Sequence, residues 1–450
     1  MDKRSAWMRA LPLAATAAVL ALYGYRQIWL LAAVPAGARD KYPTARIHQA
    51  NDFKHLYFGA VLVRMGESPY DETAMRQMAR LAGVSVNPYV YLPFTAQAMW
   101  PLSYLTLRRA IETWFVFNQF FLLSSLALIA LAWPSCRHQA AFVALVLVGA
   151  GWYPLTRTLT AGQLNCALLF LIAAHWRAAE RGWNWLAGLA LALAALFKIA
   201  PAFLILALLL QRRRRLLDWS VGWGAVLLLA SVLWCGPGRY LEFIPVLRQM
   251  GYGESTWADV GFDFYRQPFN QSFNAFFHRA LTQNPATQPL INAGPDLANA
   301  LTVGVSLALL LGAASLIMMN RGREFLRQAG EDGQREMNDL DLAISVIVML
   351  LLPSLYWDHY GVLLLLPGAI IAQYSRHWWT LALVAVASAL IAIPQGFFFS
   401  LAPSPPHGVG VLLFSMELWG TLLLLAVAVA LRLSVASSIQ REAQGQGQGI

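Results

Sequence analysis

The sequence predicts an all-α membrane protein that crosses the bilayer about twelve times, on three observations. Hydrophobic residues make up 58% of the 450 and charged residues only 12%, where a soluble domain carries about twice that share of charge. Apolar runs of about twenty residues recur, the length a helix needs to cross the hydrocarbon. Polarity does not alternate within them as barrel strands require, and only helices or closed barrels satisfy their backbone in lipid. The net charge of +10 lies in short loops between the runs, where it sets topology rather than a nucleic-acid surface.

The first span covers about Ala10 to Val34. Lys3, Arg4 and Arg9 precede it, which puts the N-terminus in the cytoplasm. With many spans following, it reads as an uncleaved helix rather than a secretory leader. The first external loop, residues 35–90, holds a helix over Asn51–Met65. Phe53, Leu56, Tyr57, Ala60 and Val61 form its one apolar face. A turn at Gly66-Glu67-Ser68-Pro69 leads to a second helix capped by Asp71, with Ala74, Met75, Met78 and Ala79 as its apolar face. Both helices are expected to lie in the membrane interface.

Phe94–Leu107 is short for a span and ends at Arg108-Arg109, so it reads as re-entrant or interfacial. Ile111–Trp133 is then the second true span. If both crossed, every later loop would change side. Under this choice Arg137, Arg177, Arg181, Arg212–Arg215, Arg335, Arg376 and Arg432 all fall on the cytoplasmic side. Trp183–Leu210 has the length of one span, yet Arg181 and Arg212–Arg215 flank it and both prefer the inside. Two short helices that break at Lys198-Ile199-Ala200-Pro201 resolve the conflict, because Pro disrupts a helix interior. Lys198 then lies at the outer face; the competing arrangement is one kinked helix with Lys198 snorkelling.

Residues 236–297 form the longest external loop, rich in aromatics such as Tyr240, Phe243, Tyr252, Trp257, Phe262 and Phe269. That density argues against disorder. The loop caps a cavity, lines a site for sugar or isoprenoid, or supplies an interfacial aromatic belt. Residues 320–340 read as a charged cytoplasmic linker, and 441–450, with Gln-Gly repeats, as a disordered tail. The whole chain, 1–450, is one membrane domain with both ends inside. Cys136, Cys166 and Cys235 are odd in number and have no metal-ligand spacing, so neither a disulfide framework nor a zinc site is expected.

In this scheme the polar motifs collect at the outer ends: Asn51, Asp52, His55, Arg157, Gln163, Asn165, Lys198, Asn270, Gln271, Trp357, Asp358 and His359. A carboxylate beside the first span of so apolar a chain is a functional candidate. Asn51 and Asp52 read equally as a helix cap, and the two roles are compatible. One carboxylate, several cations and amides around one mouth suit group transfer from a lipid-linked phosphate donor. A base takes the acceptor hydroxyl proton while cations stabilise the departing phosphate. No Gly-rich phosphate loop, nucleotide fingerprint or nucleophile elbow appears, and a donor held by its lipid needs none. Lys198 and Arg157 are the candidates for phosphate contact on physical grounds. Gln163, Asn165, Asn270 and Gln271 orient sugar hydroxyls or loops. His359 alone reads more readily as an interfacial histidine than as a ligand, and Asp358 as an acid or as its partner. The triplet Asn270-Gln271-Ser272 also matches a glycosylation acceptor. With no Asp-x-Asp near Asp52, no metal cofactor is expected, though a loosely held magnesium stays open.

Several stretches carry a resemblance. They are Asn51-Asp52-Phe53 through Gly66-Glu67-Ser68-Pro69-Tyr70-Asp71, Tyr91-Leu92-Pro93, Gly162-Gln163-Leu164-Asn165 and Phe197-Lys198-Ile199-Ala200-Pro201. Asn270-Gln271-Ser272 and Pro353-Ser354-Leu355-Tyr356-Trp357-Asp358-His359 complete the set. Together the chain resembles the polyprenyl-phosphate-mannose-dependent mannosyltransferases of glycosyltransferase family 87, over about four-fifths of its length. The resemblance implies the GT-C membrane fold and a polyprenyl-phosphate sugar as donor. The acceptor is a glycolipid or glycan, and transfer inverts the sugar on the periplasmic or outer face of the inner (plasma) membrane. It implies Asp52 as general base and His359 against the donor phosphate. Asn51, His55, Tyr91, Gln163, Asn165, Asn270, Gln271, Trp357 and Asp358 would contact substrate. Two alternatives stand beside it: a transporter or flippase of lipid-linked sugars, which predicts repeated halves, and an inactive partner subunit.

Overall fold

The computed structural model describes residues 16–27, 50–134, 137–255, 263–283, 287–319, 322–394, 397 and 409–447. Most of the predicted first span, the start of the first external loop, Trp257, Phe262, Cys136 and nearly all of Gln395–His407 lie outside the described residues. Helix α1, residues 16–27, is tied to later helices by Tyr23, which donates to Gln119 Oε1 at 2.6 Å, and by Arg26, which donates to Thr156 Oγ1 at 2.7 Å.

Two helices follow in the first external loop, α2 (Asn51–Arg64) and α3 (Glu72–Leu81). Asp71 caps α3 as expected, its side chain accepting from the Ala74 N–H at 2.9 Å, and Met75 and Ala79 are buried. Helix α2 differs from the expectation of one apolar face on an interface. Lys54, His55, Phe58, Gly59 and Leu62 are buried as well. The reason is the returning chain: α4 (Pro93–Ala98), a 3-10 turn at Trp100–Tyr104 and the start of α5 (Leu107–Ala130) pack around it. Tyr57 donates to Leu105 O at 2.8 Å and Arg64 to Ser103 O at 2.7 Å. Gly59 allows Tyr89 to lie against the helix, since a Cβ there would meet the ring at 2.7 Å. The six-residue α4 and the five-residue turn are each too short to cross a membrane.

Helices α6 (His138–Gly151) and α7 (Tyr153–Ala161) form a pair bent by 69°. Then come α8 (Asn165–Glu180), α9 (Asn184–Phe197), α10 (Ala202–Leu210) and α11 (Arg214–Cys235). The break between α9 and α10 falls at Lys198–Pro201, where the conflict of flanking arginines places it. The described part of the long loop holds α12 (Pro237–Arg248), a 3-10 turn at Phe264–Arg266 and α13 (Phe273–Leu281). Helix α14 (Pro295–Met318) precedes α15 (Arg323–Leu351), which takes up the stretch read as a linker and is interrupted at Gly330. After a 3-10 turn at Asp358–Leu364 come α16 (Leu365–Tyr374), α17 (Trp378–Ala392), α18 (Val409–Leu413) and α19 (Met416–Gly447).

Helix α19 runs through most of the tail read as disordered. Extending an existing helix adds a hydrogen bond per residue without a new nucleus. Arg432, read as a cytoplasmic arginine, is fully buried within α19 and pairs with Asp341 of α15 at 2.8 Å. Among the described residues four helices are long and apolar enough to span a membrane: α5, α11, α14 and α19. The bent pair α6–α7 makes a fifth if it counts as one span. The main core lies where α8, α9, α15, α16 and α19 meet; a smaller one surrounds α2.

Candidate active site

Helix α2 starts without a side-chain cap: Ala50 holds the cap position, and neither Asn51 nor Asp52 closes the first turn. The capping reading therefore fails. Asp52 instead accepts a hydrogen bond on Oδ2 from Gln163 Nε2 at 2.8 Å. Gln163 Oε1 in turn accepts from the Tyr91 hydroxyl at 3.1 Å. Gln163 is placed by a left-handed turn at Gly162 (φ 71°), where a Cβ would come within 2.7 Å of Phe53 Cβ. Trp114 fixes that turn by donating to Gly162 O at 2.8 Å and by stacking on Phe53 at 5.9 Å.

His55 lies one turn further along α2. Its ring is 5.5 Å from that of Tyr91, and neither ring nitrogen has a hydrogen-bond partner among the described residues. Burial lowers its pKa to about 4, against the pull of the Asp52 charge, so the imidazole is neutral at pH 7.

Lys198 follows α9 in extended conformation (φ −153°). Its Nζ sits 3.5 Å above the Tyr360 ring and 3.3 Å from Asn165 Oδ1. Burial lowers its pKa to about 7, with Asp52 acting in the opposite direction. A cation poised to lose its proton is one that an incoming anion would recharge.

Arg157 of α7 pairs with Asp358 at 3.2 Å and lies over the Phe269 ring at 5.9 Å. Burial would raise the Asp358 carboxyl, but His359 and Arg157 outweigh it and hold it below the usual carboxylate range. His359 Nδ1 lies 3.4 Å from Asp358 Oδ1, and Nε2 has no partner among the described residues. Burial keeps His359 below its ordinary pKa, Asp358 opposing. The Asp358 N–H donates to Phe269 O at 2.9 Å, and Trp357 forms an antiparallel bridge with Asn270. These bonds fasten the long loop to the 353–360 segment.

One cavity of about 640 Å³ joins these groups. Asn51, Asp52, His55, Tyr91, Arg157, Gln163, Lys198, Trp357, Asp358 and His359 all line it. Phe197, Phe243, Leu247 and Met250 give it an apolar part. Leu241 and Ile244 of α12, on the same helix as Phe243 and Leu247, are exposed, so an apolar surface lies beside this part of the cavity.

Three residues named from the sequence do not line it. Asn165 stands behind Lys198 and donates to His359 O at 3.0 Å. Asn270 donates to Phe264 O and Ser354 O at 3.1 and 3.0 Å. Gln271 donates to Pro268 O and Phe414 O at 2.6 and 2.7 Å. Both are fully enclosed. Of their two expected roles, loop positioning is the one their contacts serve, because each amide is spent on buried backbone. Sequence reasoning missed Tyr360 and Asn87, while Phe243, Tyr252 and Phe269, named among the aromatics of the long loop, line the cavity. Only Tyr360 carried a signal, by following Trp357-Asp358-His359 directly. Among the described residues, no three His, Cys, Asp or Glu side chains gather as metal ligands.

A carboxylate bonded on one oxygen, a lysine and two imidazoles line one largely apolar cavity in an all-α protein with helices long and apolar enough to span a membrane. The model of Glycosyltransferase family 87 matches residues 89–331, more than half of the chain, and the protein belongs to that family. Asp52 and the Trp357–His359 segment lie outside the matched residues. No curated protein matches the chain.

Gln163 leaves Oδ1 of Asp52 as the oxygen free of this bond. Gln163→Ala is expected to lower kcat about ten- to a hundredfold, the range for a hydrogen bond to a charged group, with KM little changed. Steady-state kinetics beside a thermal-unfolding control checks this.

Proposed function

We propose that the protein transfers a hexosyl residue, mannose by resemblance to its family, from a polyprenyl-phosphate sugar to a glycolipid or glycan acceptor. Asp52 Oδ1 takes the acceptor hydroxyl proton. The freed oxygen attacks the anomeric carbon from the face opposite the phosphate. The carbon–oxygen bond to phosphate breaks with inversion, and the leaving group departs as polyprenyl phosphate. Lys198, His359 and Arg157 face the charge that develops on that phosphate. Arg157 is already paired with Asp358, so Lys198 carries most of the contact, and Nε2 of His359 donates to the phosphate once the ring takes up a proton. His55, Tyr91, Asn51 and Trp357 meet sugar or acceptor hydroxyls.

The single observation that supports this most is the joining of Asp52 and Lys198 in one cavity whose apolar part suits a lipid-borne donor. In this reading the shorter apolar helices, such as α9 and α17, also cross or enter the bilayer. The total is then about twelve spans in a GT-C arrangement, with both termini cytoplasmic and the cavity at the outer face of the plasma membrane. Catalysis uses no metal.

The test is transfer from a synthetic short-chain polyprenyl-phosphate mannose by purified protein, with a membrane lipid extract as acceptor. A new glycolipid, formed equally after chelation of divalent cations, is the expected result. Donor binding without product in any extract would favour transport over transfer. Loss of product on chelation alone would reject the metal-free step.

A further inference from the structure

A second cavity, of about 480 Å³, lies at the other end of α9 and α10. Helix α9 has 14 residues, which puts about 20 Å between its two ends. Arg177 comes from α8, Arg181 from the cap that ends it, Arg213 from the turn after α10, and Arg335 from α15. Two interior carboxylates, Glu180 and Asp339, face these four guanidiniums. Both are engaged: Arg177 and Arg335 hold Glu180, while Trp176 and Tyr374 donate to Asp339 at 2.7 and 2.6 Å. Glu331 and Asp332 stand exposed on the rim. Arg181 has no carboxylate partner among the described residues and stacks on Trp183.

Loop arginines that serve topology alone need only face water. Here they gather around one cavity, Arg181 and Arg335 exposed at its mouth and the Arg177 side chain only 11% exposed. The backbone points the same way. Arg212, beside Arg213, is the one non-glycine residue with left-handed φ (59°) among those described. Strain of that kind persists where the surroundings require it. It tightens the turn, so that the Arg213 N–H returns to Leu208 O at 3.1 Å and Gln211 and Arg213 both line the cavity. The source of the ligand follows from α10. Leu204, Ala207 and Leu208 line the cavity, while Leu206 and Leu209 are exposed on the same helix. An apolar chain can run down that outer side from a head group held by the arginines.

We propose that this cavity binds the phosphate head group of an anionic phospholipid in the membrane leaflet opposite the candidate active site. Basic pockets between membrane helices take such head groups by charge, with the acyl chains left in the bilayer. The site is independent of the transferase reading.

Native mass spectrometry of the detergent-purified full chain tests it, with phosphatidylglycerol and phosphatidylcholine of equal chain length competing at equal concentration. Phosphatidylglycerol is expected to stay bound where phosphatidylcholine does not. The pair Arg181→Gln and Arg213→Gln is expected to weaken that binding roughly thirtyfold, at the usual contribution of a basic residue to anionic-lipid binding. Asp52→Asn, in the other cavity, is expected to leave it unchanged. Equal retention of both lipids by the wild type overturns the proposal without need of any variant. Undiminished binding by a folded double variant overturns it as well. Displacement of the lipid by millimolar inorganic phosphate would assign the cavity to a soluble anion instead.

Discussion

Asp52→Asn is expected to cut the rate of sugar transfer by about two to four orders of magnitude, the usual contribution of a positioned general base. Donor affinity and thermal stability should change little. The amide has nearly the shape of the carboxylate, and a flipped Gln163 side chain can still bond to it. Asparagine cannot accept the acceptor's proton, so the loss appears in kcat rather than in KM. Single-turnover transfer, measured beside donor binding, separates the two. A variant with full turnover would remove Asp52 from the reaction. A variant that no longer binds donor would show that the carboxylate serves the architecture of the site.

Lys198 yields the second large effect, through pH. Its pKa is lowered to about 7 by burial, and only the ammonium form attracts phosphate. The sign follows directly: below pH 7 the side chain is charged and the donor binds; above it the free protein must take up a proton to bind. Donor affinity should therefore fall with rising pH, about tenfold per unit, reaching about a hundredfold at pH 9. Lys198→Met is expected to weaken donor binding at pH 6 and to flatten this dependence. Titration of the wild type and the variant with a non-transferable donor analogue from pH 6 to 9 checks both. A wild-type affinity that is flat across the range would take the phosphate contact away from Lys198.

Some of this architecture is legible in the chain itself. The break at Lys198–Pro201 follows from the arginines at both ends of one apolar stretch together with a proline inside it. Asp71 as a cap follows from local chemistry alone. The enclosure of α2 was hidden, because it depends on residues 89–114, whose own pattern says only that they are short. Asn270 and Gln271 look like ligands for sugar in sequence. Their amides are consumed by backbone oxygens from segments as distant as Phe414, a pairing no spacing reveals. The Asp358–Arg157 pair spans 201 residues and was equally out of reach, although both members were named. Tyr360 was passed over because an aromatic beside a membrane needs no special explanation.

The wrapping of α2 also has a consequence in time. Asp52 and its partner Gln163 are 111 residues apart. At the usual pace of synthesis, about 5–20 residues per second, the helix leaves the ribosome roughly 5–20 s before the last piece of its enclosure. Residues 89–114, which pack around Phe53, Leu56, Tyr57, Ala60 and Val61, are made within that interval, so the hydrophobic enclosure can form before the polar partner of Asp52 arrives.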